Sequence, residues 1–530
     1  MRTPARVAAC LLVALVAGCS AQASDPASDP ASPPAPQSAN VPPQLQAALP
    51  LPENAVADAV DRLDGLAEDL MAESGVPGLA VAVVHGGKTL YAKGFGVKDV
   101  RNGDDPSNRV NPDTVFQLAS VSKSVGATVV AHQVGEGVIS WDTPVVEKLP
   151  WFALADPAVT ETVTVGDLYS HRSGLPDHAG DLLEDIGYDR RQVLEKLRDF
   201  PLDPFRTSYA YTNFGLTAGA EAVAVSAGKS WEQLSEDVLY RPLGMTSTSS
   251  RFDEYEARAD RAVGHIRRDG SFQPTYVRDP QAQSPAAGVS SSVNDMTRWL
   301  AMLLADGARE EQQIVKPAAL LPALTPQSVS DRASEPAMRS GFYGYGFNVG
   351  TTSAARQQFS HSGAFELGAG ANFLILPSAD VAIVALTNST PVGVPEALTA
   401  QFADLVQFGE VREDWWTRYH AAFEEIDKPL GALVGRQPPA DPAPPAPLGS
   451  YVGDYVSDFW GTAKVTERDG HLQLELGTLN VPLRHWDGSV FTFEFITENA
   501  PPGTISQATF TGDSVKLEYY DTLGKGTFTR

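Results

Sequence analysis

The stretch Phe116-Gln117-Leu118-Ala119-Ser120-Val121-Ser122-Lys123 leads into residues 125–134, a run of small and apolar side chains that reads as a helix. With Ser120 at the opening of that helix, Lys123 stands one turn on, and positions i and i+3 share a face. The lysine amine then reaches the serine oxygen. Burial and the positive helix N-terminus both disfavour the ammonium form, so the amine can serve as a base. The bare S-x-x-K pattern is weak by itself, and Ser226-Ala227-Gly228-Lys229 repeats it. There Gly228 stops a helix and nothing apolar follows to bury the lysine, so the second copy reads as structural.

Two further phrases carry groups of the right chemistry. Tyr209-Ala210-Tyr211-Thr212-Asn213-Phe214-Gly215 precedes a helical run over residues 216–227. Tyr211 and Asn213, two apart on a loop, project to the same side. A phenol near a lysine ammonium is expected to have its pKa lowered and to shuttle protons to and from a serine, while the amide can bind a substrate carbonyl. Alone, the pair reads as a core tyrosine and a helix cap. In Phe359-Ser360-His361-Ser362-Gly363-Ala364, Gly363 lets a ligand's backbone approach an edge strand, and the Ala364 amide can face an oxyanion. His361 alone reads as a structural histidine.

Outward from these phrases the chain divides. Residues 79–84 are apolar, residues 85–88 turn, and residues 89–97 return, which predicts a hairpin. Residues 372–376 and 381–387 predict a second pair of strands about Pro377-Ser378-Ala379-Asp380. A helical pattern covers residues 56–71, and the segment between the outer strands is mostly helical pattern broken by Gly and Pro. This predicts an α+β body over 52–432, its antiparallel sheet built from both ends of the segment and flanked by helices. A Pro-rich linker follows at 433–449. Residues 450–530 alternate as strands do, with Leu472, Leu474 and Leu476 between polar residues and Phe491, Phe493 and Phe495 likewise. Asp469-Gly470 and Asp487-Gly488 supply hairpin turns, and closure into a small all-β barrel protects the edges.

The 530 residues are 43% hydrophobic and 20% charged, enough to bury a core without disulfides. With 65 acidic against 40 basic residues the net charge is −25, which argues against nucleic acid and against docking on anionic lipid. The two cysteines are Cys10 and Cys19, so the body holds no thiol nucleophile and no cysteine-ligated metal. Arg2 and Arg6 followed by an apolar run and Val16-Ala17-Gly18-Cys19 resemble a bacterial lipoprotein signal over 1–19. That resemblance implies cleavage before Cys19 and lipidation of it, and Ser20 in the next position resembles outer-membrane sorting. The expected location is therefore extracytoplasmic, lipid-anchored in the periplasm, with membrane contact through the lipid alone. Residues 20–51, rich in Ala, Pro, Ser and Asp, read as a disordered tether.

The order Ser-x-x-Lys, Tyr-x-Asn, His-Ser-Gly resembles the serine β-lactamase and penicillin-binding protein superfamily, a motif set known in its class A form. It is most similar to the class C β-lactamase-like branch, with its D,D-peptidase, D-aminopeptidase and esterase relatives. Thr164-Val165-Gly166-Asp167-Leu168-Tyr169-Ser170-His171-Arg172-Ser173-Gly174, Arg241-Pro242-Leu243-Gly244-Met245-Thr246 and Ala286-Ala287-Gly288-Val289-Ser290-Ser291 extend the resemblance over about 60–395. The C-terminal piece is similar to lipocalin-like domains that follow such hydrolases. The resemblance implies a β-lactamase/transpeptidase-like fold with a helical subdomain, and a serine hydrolase that uses no metal or cofactor. It further implies Ser120 as the acylated nucleophile, Lys123 and Tyr211 as its proton-transfer partners, and the backbone amides of Ser120 and Ala364 as the oxyanion hole. Asn213, His361, Ser362 and Gly363 would hold a small-molecule or peptide substrate. Many β-lactamases carry lysine where His361 stands, so the expected reaction is peptide cleavage, with esterase, β-lactamase or a non-turnover sensor of penicillins or peptides as rivals. Neither G-x-S-x-G nor H-E-x-x-H occurs.

Overall fold

The computed structural model describes residues 42–530, so Cys19, the signal-like segment and most of the expected tether lie outside the described residues. Pro43–Leu45 is a 3₁₀ turn in a small unit ending at Gln46; residues 47–530 form the second unit, to which everything below refers. Ala48 and Leu49 are already fixed to it, donating to the Ala354 carbonyl and accepting from the Arg356 guanidinium.

Strands β1 (Gly78–His85) and β2 (Lys88–Gly96) form the expected hairpin. Six more follow late in the body: β3 (Ser328–Asp331), β4 (Gly341–Tyr343), β5 (Asn348–Thr351), β6 (Gln357–Phe365), β7 (Ala369–Leu376) and β8 (Val381–Thr387). They make one antiparallel sheet in the order β2-β1-β8-β7-β6-β5-β4-β3, so strands from the two ends of the body are neighbours, Leu79 opposite Thr387 and His85 opposite Val381. Alternation of side chains explains why β1 and β8 lie inside the sheet rather than at an edge. In β1, Ala80, Ala82 and Val84 enter one core while Leu79, Val81 and Val83 enter another; Ala382, Val384 and Leu386 of β8 divide from Val381, Ile383 and Ala385 in the same way. A strand apolar on both faces needs cover on both.

Helices supply that cover. On one face lie α1 (Leu63–Ser74) and, later in the chain, a helix over Val394–Phe408; on the other lies a helix over Val293–Leu304, whose Trp299 packs on Phe347 and Phe373. The helical pattern at 56–71 is broken: Ala55–Val60 is a separate helix, and Asp61 and Arg62 intervene before α1. Helices α2 (Val121–Gly135) and α3 (Asn213–Ala227) are apolar or small all round and buried nearly throughout, the pattern of helices with no solvent face. They carry the groups of interest at their N-termini.

Strand β6 is partnered unequally. On one side β7 accompanies it through to Phe365, while on the other the ladder with β5 ends at Asn348 opposite Ser360. From Ser362 to Phe365 the β5 side of the strand is open. The C-terminal residues form a closed eight-stranded antiparallel barrel, in which Leu472, Leu474 and Leu476 point inward. Asp469 and Gly470 both adopt positive φ, 52° and 77°, as a tight hairpin turn requires. The barrel packs against the body: Phe200 meets Phe459 edge to face, Thr478 donates its amide to the Ile186 carbonyl, and Thr497 and Asn499 donate to Asp185.

Candidate active site

Ser120 lies at the entry to α2, preceded by Ala119 in the left-handed region at φ 45°. The bend is locked from several sides. The Leu118 amide donates to the Val289 carbonyl at 2.8 Å, and the Val289 amide donates back to the Ser122 hydroxyl at 2.9 Å. Strain of this kind at a non-glycine residue persists only where neighbours over-determine it. Its effect is to leave Ser120 partly exposed on an otherwise buried helix.

Lys123 is fully buried, and its Nζ has three neighbours: Ser120 Oγ at 3.0 Å, Asn213 Oδ1 at 2.6 Å and the Ala286 carbonyl at 3.1 Å. Two of these can only accept. A neutral amine therefore spends its two protons on Asn213 and Ala286, and its lone pair is left for the Ser120 hydroxyl proton. Burial pulls the Lys123 pKa down to about 7, against the opposing charge of Asp181. The amine is thus substantially neutral near pH 7, as a base must be.

Tyr211 hydrogen-bonds with Ser120, and the Lys123 ammonium lies 4.5 Å from its ring centre. The expectation of a lowered phenol pKa is corrected here. Burial of the ring holds it well above its ordinary value, outweighing the hydrogen bond with Ser120, and the charges of Asp181 and Asp177 push the same way. The resting phenol keeps its proton. Its ring is braced by His171 at 4.6 Å; the Thr212 amide donates to His171 Nδ1, so that ring is neutral with its proton on Nε2.

Asn213 begins α3. Its Oδ1 faces Lys123 and its Nδ2 donates at 2.8 Å to Asp181, which also accepts from His178 Nδ1 at 2.8 Å. These two bonds fix which way the amide points; Nδ2 has a second proton beyond the one given to Asp181, and Asn213 lines the cleft. Asp181 was invisible from sequence: nothing in its spacing marks it as the residue that fixes which way the Asn213 amide points.

On β6 the pleat separates the His-Ser-Gly residues. His361 and Gly363 face α2, while the Ser362 hydroxyl points to the other face and donates to Glu396 on the helix over Val394–Phe408. The Ser362 side chain is therefore turned away from the position sequence reasoning gave it. His361 is buried between the Ser362 carbonyl, 2.6 Å from Nδ1, and the Tyr343 hydroxyl, 2.8 Å from Nε2, which donates to it. Burial drives its pKa down to about 3, helped by the Lys123 charge, so it is a neutral ring with both nitrogens engaged. Gly363 has a different task from the one expected. A Cβ there would stand 2.1 Å from the Leu118 carbonyl and 3.1 Å from the Ser120 amide, so glycine is what allows β6 to lie against the nucleophile turn. Ala364 is exposed beside it, on the open length of the strand.

Ser120, Tyr211, Asn213, His361 and Ala364 line one cavity of about 560 Å³. Its far wall was not foreseen: Glu366 and Asp427 of the body, joined by a carboxyl–carboxyl hydrogen bond, and Glu498 and Asn499 of the barrel. Glu498 accepts from the Glu366 and Leu367 amides just beyond β6, and pairs with Arg278. Arg278 is otherwise spent on Glu184 at 2.6 Å and the Asp279 carbonyl at 2.7 Å.

A serine whose hydroxyl meets a buried neutral amine and a protonated phenol, beside the open half of a strand, is the active site of a serine hydrolase of the penicillin-recognising type. The comparisons agree. Residues 63–408 match the Beta-lactamase family, and the chain belongs to that family; residues 437–525 match a domain of unknown function, DUF3471. Penicillin-binding protein 4 of Amycolatopsis lactamdurans is 31% identical over 385 residues, covering 71% of this chain and 91% of its own length. The Unguisins hydrolase ungD' of Aspergillus campestris is 25% identical over 404 residues, 72% of each chain. Among solved structures, the octameric penicillin-binding protein homologue from Pyrococcus abyssi superposes with a TM-score of 0.59 at 21% identity, covering 87% of this chain and 98% of its own. It supports the fold, β-lactamase/transpeptidase-like with a C-terminal barrel.

Proposed function

We propose that this serine hydrolase is a peptidase, acting through an acyl-enzyme on Ser120, and that its substrates present an amine rather than a carboxylate beside the scissile bond, as in a D-aminopeptidase. The observation that carries this reading is the acidic lining of the cleft and the want of a free cation among its lining residues. Its cationic side chains are committed within the protein, Lys123 to its three neighbours, Arg278 to Glu184 and Glu498 and His178 to Asp181, and His361 is neutral. Asp181, Glu366, Asp427 and Glu498 line the same cavity. Burial raises the pKa of Glu366 to about 9 and that of Glu498 to about 8, so these carboxyls hold protons in the resting cleft. An entering ammonium would draw them into their charged form, whereas a substrate carboxylate, as in a β-lactam or a D,D-carboxypeptidase substrate, would find no free cation among the lining residues to meet it.

In the proposed reaction Lys123 Nζ takes the Ser120 proton as Oγ attacks the carbonyl carbon. The Ser120 and Ala364 amides receive the developing oxyanion. The proton passes to the leaving nitrogen by way of the Tyr211 hydroxyl, which gives one proton and regains another from Lys123. The C–N bond breaks and the acyl group stays on Ser120. Water then attacks the acyl carbon and loses a proton to the same pair, which returns one to Ser120 Oγ as the C–Oγ bond breaks and the acid is released. The esterase reading uses the same steps with an oxygen leaving group. We also propose that Cys19 carries lipid that holds the enzyme at the periplasmic face of the outer membrane. Loss of palmitate labelling in Cys19→Ala tests that anchor.

The test of the reaction is a panel of D-aminoacyl amides, D-Ala-D-Ala peptides, short-chain nitrophenyl esters and nitrocefin, run beside Ser120→Ala. D-Aminoacyl amides are expected to give the highest kcat/KM, and the variant to lose every activity. Preferred turnover of the esters, or turnover that survives in the variant, overturns the reading.

A further inference from the structure

A second cavity, of about 640 Å³, opens between body and barrel. It shares His178, Leu430 and Asn499 with the wall of the Ser120 cleft, so the two spaces adjoin. Its lining is mostly apolar, from Pro176, Leu182 and Phe200 on the body and Trp460, Tyr519 and Leu523 on the barrel. Two large side chains at the junction are left to solvent, Ile426 at 68% exposure and Leu430 at 46%. Trp460 is only 3% exposed and packs edge to face against Phe459 and Tyr520, which makes it a fixed part of the wall.

We propose that this cavity is a subsite for a bulky apolar residue of the peptide substrate, reached from Ser120 past His178 and Asn499. The proposal rests on the peptidase reading above and adds to it a preference remote from the scissile bond. The choice of occupant follows from three features together. The cavity adjoins the reacting centre, its apolar walls suit an aromatic or large aliphatic side chain, and Ile426 and Leu430 at the junction are left exposed for such a side chain to cover. The Tyr519 hydroxyl is already spent, donating to the Asn499 carbonyl at 2.6 Å, and the polar side chains Asp177, Glu518 and Thr522 also line the cavity. The subsite needs the barrel, which supplies Trp460, Ile505, Tyr519 and Leu523.

The experiment uses the full chain and a series of fluorogenic peptides in which one Phe is moved through an otherwise Ala sequence. At one position Phe is expected to raise kcat/KM by about tenfold or more over Ala, chiefly through KM, the return on burying a large side chain. In Leu523→Asp that ratio falls to near one, and in Trp460→Phe, which exchanges a two-ring wall for a smaller one, it falls by about threefold or more. Trp460→Phe keeps the test alive if Leu523→Asp fails to fold. A series indifferent to the position of Phe, or a ratio unmoved in Trp460→Phe and in folded Leu523→Asp, overturns the subsite while leaving the peptidase reading intact. Turnover of nitrophenyl esters with none of any peptide overturns both.

Discussion

Lys123 works because of what surrounds it, and the surroundings can be edited one at a time. Its neutral form is the active one, so kcat/KM should rise with pH through about 7, where the buried amine loses its proton. Asp181 opposes that loss by favouring the ammonium, and through Asn213 it also keeps a carbonyl oxygen facing the amine. Asp181→Asn removes the charge, so the acid limb of the profile should move to lower pH by about one unit. A limb left where it was would show that the carboxylate acts on position alone. His178, hydrogen-bonded to Asp181, carries a pKa raised by that bond and by the charges of Asp181 and Asp177, burial opposing. His178→Gln should move the limb the other way, since a cation that disfavoured the ammonium is gone. Ser120, Lys123 and Tyr211 were legible in the sequence because local spacing and chain order carry them. The direction of the Tyr211 pKa was not, because burial is a property of the packed ring that a pair of residue types does not announce. Asp181 was hidden for the same reason: its importance lies in a contact 32 residues away with Asn213.

Among the elements, β6 and the start of α2 are held at a spacing that only glycine permits. Gly363→Ala puts a methyl into the Leu118 carbonyl and must push strand from helix, carrying the Ala364 amide away from Ser120. A displacement on that scale should cost activity about a hundredfold, mostly in kcat, with thermal unfolding still cooperative. Wild-type turnover in this variant would mean that the two amides do not act together on one oxygen. Sequence reasoning found the outer strands, whose apolar runs are long and two-faced. It missed β3, β4 and β5, which are three or four residues each and stay in place through their neighbours in the sheet. The Ser362 hydroxyl was misplaced for a related reason. Adjacent residues of a strand face opposite ways, and the motif reads continuously only on paper.

For the whole molecule, the barrel is part of the enzyme's architecture. Barrel and body share one apolar core, Phe200 and Ile186 with Phe459 and Trp460, and the buried Arg278 is neutralised from both sides, by Glu184 and by Glu498. Removing either partner of such a group leaves a charge stranded. Chemical denaturation should therefore give a single transition in which tryptophan fluorescence and acylation of Ser120 are lost together. A barrel that melts first, with labelling intact, would separate the two. The barrel was legible as a fold from its alternating leucines and paired turns, whereas its place beside the cleft rests on Asp185 with Thr497 and Asn499, polar residues whose partners lie some 300 residues away.

The open length of β6 limits what can enter. A free strand edge takes up chain that is itself extended and has hydrogen bonds to give, and the barrel stands across the opposite side of the entrance. A folded protein has its backbone already engaged in its own helices and sheets, and its bulk would collide with the rim. On the peptidase reading proposed above, the enzyme would be confined to short or unstructured chains and to loose chain ends, a safeguard for its neighbours that requires no inhibitor.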